Sequence, residues 1–174
     1  MYDIYIEDAY YLALKGKEAA DDREKKRYFR ASIFYSVSAM EAFVNYVGDT
    51  LSKSNEFPPY EIAFLTDRRF DITNGQFEIL DIPRYQRLED KLRFLLNKFV
   101  PTYDFNSSHW REFVEFKRFR DNLVHPRDSD DAISADEYGR RIEAGISSTL
   151  NLIDCLCKGI FGKGLRKGLR ELSL

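Results

Sequence analysis

The chain has two cysteines, two histidines and one tryptophan in 174 residues, and these scarcities remove several familiar chemistries at once. Cys155 and Cys157 lie two apart on an expected helix, where their side chains diverge too far to bridge, and they fit core packing in a reducing cytosol. His109 and His125 cannot form a Cys/His metal set, so no metal site and no cofactor is expected. No glycine-rich phosphate loop or Walker motif is present, and no nucleophile-elbow pattern supports a Ser-His-Asp site. A positive field is missing too. Formal net charge is -2 and the pI about 5.8, so any nucleic-acid role must rest on a local patch.

Charges interrupt every apolar run before it could span a bilayer, and the amino-terminal MYDIYIEDAYY lacks the basic and apolar regions of a signal peptide. The expectation is a soluble cytoplasmic protein without membrane contact. Internal repeats, low-complexity tracts and long linkers are absent as well. What the chain does have is 44% hydrophobic and 15% aromatic residues, enough for the core of one domain over 1–174.

Apolar residues recur at helical spacing in five places, which predicts an all-α chain, a single helical bundle of about five helices. Helix one is expected from Ile4 to Ala20, with Ile6, Tyr10, Ala13 and Lys17 on one side. Helix two, Arg23 to Ser52, carries Ile33, Val37, Met40, Val44, Val47 and Leu51 in steps of four and three and should be the spine. Between 56 and 83 the pattern loosens into a short turn near Tyr60 to Leu65 and a small hairpin or irregular insertion, signalled by Asn74-Gly75. Helix three is expected from Pro83 to Phe99 and helix four from Ser107 or Ser108 to Val124. Ser134-x-x-Glu137 forms a capping box that opens helix five, with Ile142, Ile146, Leu150, Ile153, Cys157 and Ile160 inward. The basic, glycine-punctuated tail 162–174 is expected to be flexible.

Arg120-Asp121-Asn122-Leu123-Val124-His125, followed by Pro126 and Arg127, asks for a chemical explanation. Arg presents a fork of donors suited to phosphate, and His exchanges protons near neutrality. The inward stripe of helix four by spacing is Phe113, Phe116, position 120 and Leu123, which puts a cation where an apolar residue is expected. Either a carboxylate meets Arg120, or this face opens onto a cleft or subunit interface where a phosphate does. The alternative is a stripe shifted by one, through Phe119, with Arg120 snorkelling outward.

Glu41 is the one charged residue between Ala31 and Gly48, with Asn45 a turn later. Two roles stand for it: a group that orients Arg120 across the bundle, or an ordinary solvated glutamate. Asp121, four residues before His125, would raise the imidazole pKa together with the negative end of the helix dipole. Arg111, Lys117, Arg118, Arg120 and Arg127 stand against Glu112, Glu115 and Asp121, a local balance of +2 able to hold a phosphate backbone. On an ideal helix Arg120 and His125 are roughly 140° apart, so a regular helix does not converge them. Pro126 loosens that constraint.

The Arg-x4-His spacing at a helix end, with a polar residue after the Arg and a preceding long helix reading Ser32-Ile33-Phe34-Tyr35-Ser36-Val37-Ser38-Ala39-Met40-Glu41-Ala42-Phe43-Val44-Asn45, resembles the HEPN superfamily. The resemblance covers helices two, four and five. It implies a compact helical bundle, a homodimer, and in many members a metal-independent endoribonuclease of toxin-antitoxin, phage-defence or RNA-processing systems. Arg120 and His125 would then be the catalytic pair, Asp121 or Asn122 would orient His125 or the scissile phosphate, and Glu41 and Asn45 would support them. Arg127, Lys117 and Arg118 would hold RNA. A second copy would supply the missing acid or base across the dimer interface. In a subset of the family the motif continues as His-x-Tyr, the Tyr being modified by a partner antitoxin. Position 127 is Arg127 here, so the resemblance gives that mode of regulation, and the cognate antitoxin it would need, no support. Some relatives have lost catalysis and bind a nucleotide or protein partner instead.

Overall fold

A computed structural model describes residues 1–54, 56–124, 133–172 and 174. Its elements in chain order are α1 (Tyr2–Glu18), α2 (Asp22–Ser52), α3 (Pro59–Leu65), β1 (Arg68–Thr73), β2 (Gln76–Pro83), α4 (Leu88–Phe99), α5 (Ser108–Val124), α6 (Ala135–Phe161) and α7 (Lys167–Arg170). The described chain is mainly helical. It is not all-α with five helices: seven helices and a two-stranded antiparallel sheet are seen among the described residues. No helix among them is long and apolar enough to cross a membrane.

Local chemistry accounts for the boundaries. The Asp21 carboxylate accepts from Glu24 N at 2.9 Å and opens α2. Ser134 Oγ accepts from Glu137 N at 3.2 Å and opens α6, while the Glu137 side chain turns to Arg140 and Arg141. Gly162 ends α6 with φ of 68°, the left-handed cap that glycine adopts without strain. Asn74 and Gly75, with φ of 52° and 77°, form the tight turn between β1 and β2.

The bundle is built on α2. Ile33, Val37, Met40, Val44 and Val47 are at most 1% exposed and face α1 and α6. Ser32 Oγ donates to Ala9 O at 2.7 Å, a buried tie between α1 and α2. Two glycines set how closely the helices approach. A Cβ on Gly16 would lie 2.3 Å from the Phe29 ring, and one on Gly145 would lie 2.3 Å from the Phe116 ring. The bare backbone of α6 therefore receives the Phe116 ring of α5.

Four expectations are corrected. The inner face of α1 is Ile6, Ala9, Ala13 and Gly16, while Lys17 is exposed and pairs with Glu143 on α6. The helix expected from Pro83 starts at Leu88, because Pro83 still pairs with Arg68 in the hairpin and Asp67 holds the next residues extended. Asp67 O accepts from Arg84 N at 2.7 Å, and its carboxylate accepts from Gln86 N at 2.8 Å and Lys91 Nζ at 2.6 Å. The buried stripe of α5 is Trp110, Phe113, Phe116 and Phe119, one residue off the expected line. The tail packs back onto the bundle. Leu165 and Leu169 are buried, Leu165 N donates to Asp154 Oδ1 at 2.8 Å, and Arg166 pairs with Glu7 of α1.

Candidate functional site

Arg120 sits in the last two turns of α5, opposite the middle of α2, and its Nη2 donates to Glu41 Oε1 at 2.6 Å. The Arg120 side chain is 19% exposed and that of Glu41 is 42% exposed, so the pair lies at the edge of the core. Phe119 takes the apolar place beside it. Of the open readings, both the shifted stripe and the meeting with a carboxylate describe the outcome: Arg120 leaves the core line and is caught at its edge by Glu41.

Asp121 joins the same cluster. Its Oδ2 accepts from Lys117 Nζ at 2.7 Å, and its Oδ1 lies 3.2 Å from Arg120 Nε. That second approach is too poorly aligned for a hydrogen bond, and Nε is buried without a partner. Lys117 Nζ also stands 3.7 Å from Glu89 on α4. Charges thus alternate along the line Glu41, Arg120, Asp121, Lys117 and Glu89, two cations against three carboxylates. Glu89 was invisible to spacing arguments because it reaches the cluster from another helix.

Asn122, Arg118 and Asn45 make no contact with this cluster among the described residues. Asn122 is exposed, and Arg118 is exposed with no ion-pair partner among the described residues. Lys117, expected to face RNA, is occupied by Asp121 and Glu89, and Asp121 is in turn committed to cations of its own helix. Asn45, one turn along α2 from Glu41, instead lines a groove of about 600 Å³ against the hairpin base, with Asp49, Asp67, Arg68, Asp81 and Tyr85. His125 and Arg127 lie outside the described residues.

A second groove, about 540 Å³, lies at the far end of α5 between His109, Tyr103, Asp154, Cys155 and Lys158. Burial pushes the Cys155 thiol and the Tyr103 hydroxyl above their ordinary pKa values. At Asp154 burial works in the raising direction, but hydrogen bonds from Lys158 and Leu165 N outweigh it and hold the carboxyl low. Among the described residues no group of three His, Cys, Asp or Glu side chains is placed to hold a metal ion.

The arrangement around Arg120 is a guanidinium fixed at one corner. Among the described residues Nη2 is the one nitrogen with a hydrogen-bonded carboxylate, which leaves donors for an anion approaching the end of α5. No family model, curated protein or solved structure matches the chain.

Proposed function

We propose that this chain is a metal-independent endoribonuclease of the toxin or phage-defence kind, acting at a site completed by a second copy of itself. The observation that carries the reading is Arg120, anchored by Glu41 at the end of the helix that leads into His125, with guanidinium donors left over. A fixed guanidinium stabilises charge developing on phosphoryl oxygens without reorganising during the reaction. The ribose 2′-hydroxyl attacks the adjacent phosphorus and gives its proton to one His125 imidazole. The P–O5′ bond breaks, and the leaving oxygen takes a proton from the second copy's His125 as imidazolium, which leaves a 2′,3′-cyclic phosphate and a 5′-hydroxyl. Asn122 and Asp121 would orient the imidazole or the phosphate, and Arg118 and Arg127 the RNA backbone.

Incubation with single-stranded RNA in EDTA tests this. The expected result is cleavage with cyclic phosphate ends, lost in His125→Ala at unchanged helical circular dichroism. Cleavage that survives the substitution removes His125 from the mechanism.

A second reading is favoured by the charge cluster itself, in which Lys117, Asp121, Arg120 and Glu41 are each ion-paired within the chain. On that reading the chain is a catalytically silent module that binds a nucleotide or a protein. Tight nucleotide binding with no cleavage across varied RNAs would decide for it.

A further inference from the structure

The register of the hairpin pairs Phe70 with Ile79 and Ile72 with Phe77. Side chains alternate along a strand, so these four apolar residues share one face, and Tyr60 of α3 extends it by stacking on Phe77 at 4.8 Å between ring centroids. Partners are few. Ile72 is 68% exposed, Phe77 53%, Tyr60 38% and Ile79 37%. A two-stranded hairpin is marginal in water without cover on its apolar face, and contiguous exposed patches of this kind mark contact surfaces.

At the hairpin base, Arg68 and Asp81 both line the groove against α2, and neither has an ion-pair partner among the described residues. Among the described residues the groove carries one unpaired cation, Arg68, and two unpaired carboxylates, Asp49 and Asp81. In a two-fold contact residue i of one copy meets residue j of the other and j meets i, so Arg68 of each copy would meet a carboxylate of its mate.

We infer that the hairpin is an arm that holds a second copy of this chain, its apolar face covered by the mate and Arg68 of each copy facing Asp81 of the other. The four exposed side chains offer roughly 400 Å² per copy, taking about 200 Å² for a fully exposed one. That is about half of the roughly 800 Å² per partner of a standard interface, so a neighbouring surface must supply the rest. The adjoining surface is the candidate site. Asn45 lines the groove one turn from Glu41, and α4 joins the two regions, pairing Lys91 with Asp67 of the hairpin base and Glu89 with Lys117. The inference adds to the proposed ribonuclease the surface that holds its second copy, and it stands whether or not RNA is cut.

Sedimentation velocity of the full chain over a concentration series tests it. A dimer is expected, weakened at least tenfold by Ile72→Asp with the melting temperature unchanged, and about tenfold by R68E or D81R alone. The R68E/D81R double variant should return to within about threefold of the parent. A chain that stays monomeric, a dimer indifferent to Ile72→Asp, or a double variant no tighter than the singles overturns the inference. Binding to anionic lipid vesicles in place of self-association also overturns it. A dimer that cleaves RNA and is indifferent to Ile72→Asp refutes this inference alone, a monomer that still cleaves refutes it together with the two-copy site, and a hairpin-held dimer that cleaves nothing refutes the ribonuclease alone.

Discussion

Replacing Glu41 is expected to destabilise the fold more than replacing Arg120, although the two form one pair. In Glu41→Ala the guanidinium stays at 19% exposure, loses the hydrogen-bonded carboxylate and keeps a buried Nε with no partner. Removing one member of a fully buried pair costs about 3 to 5 kcal/mol, and surface pairs are worth about 0 to 1. A site at this depth, with Asp121 still nearby, falls between, at about 2 kcal/mol. In Arg120→Ala the carboxylate left behind is already 42% exposed and turns into water, so about 1 kcal/mol is expected from the lost bond and stem packing. The double variant should cost less than the sum, with a coupling of about 1 kcal/mol. Urea denaturation of the four proteins measures these terms, and for a chain of this size about 2 kcal/mol moves the melting temperature by about 4 to 8 °C. If Arg120→Ala proves the costlier variant, or coupling is below about 0.3 kcal/mol, the pair is not the anchor described here.

Lys91 is 4% exposed and its charge is met by Asp67, so Asp67→Asn should cost on the order of 3 kcal/mol while Lys91→Met is close to neutral; thermal melts of both variants check this, and equal losses would refute it. Burial pushes the Cys157 thiol up to about 11 from an ordinary 9.0, so it should resist thiol reagents at pH 8 until the chain unfolds. The unfolded chain releases that proton first as pH rises, so this contribution to stability is complete below about pH 9 and lost as pH climbs through about 11. Alkylation timed against urea, and melts between pH 8 and 11, measure the two effects.

The parts of the fold that could be read from sequence were those set by local chemistry. Alternating steps along α2, Asn74-Gly75 at the hairpin turn and the Ser134 cap each act within a few residues, and each stands where spacing put it. The isolation of Glu41 on α2 pointed correctly to its contact with Arg120. What escaped depended on residues distant in the chain. Pro83 reads as a helix start until Asp67, sixteen positions earlier, is seen to hold residues 84 and 86 extended. The tail reads as frayed until Asp154 is found accepting Leu165 N. Arg120 looked inward by spacing because Phe119 and Phe116 can bury either of two neighbouring stripes, and the choice is made by α6, with Tyr138 against Phe119 and Gly145 against Phe116.

The Phe116 ring seated on Gly145 works as a detent on the position of α5. Phe116 lies one turn before Arg120, and sliding α5 by a residue would drive the ring into backbone that carries a Cβ at Ala144 or Ile146. A whole-turn ratchet of about 5.4 Å would carry Arg120 out of reach of Glu41. The notch therefore indexes the end of α5 to within less than one residue. A larger residue at 145 would be tolerated only with a smaller one at 116, and that compensated pair would free the helix to slip.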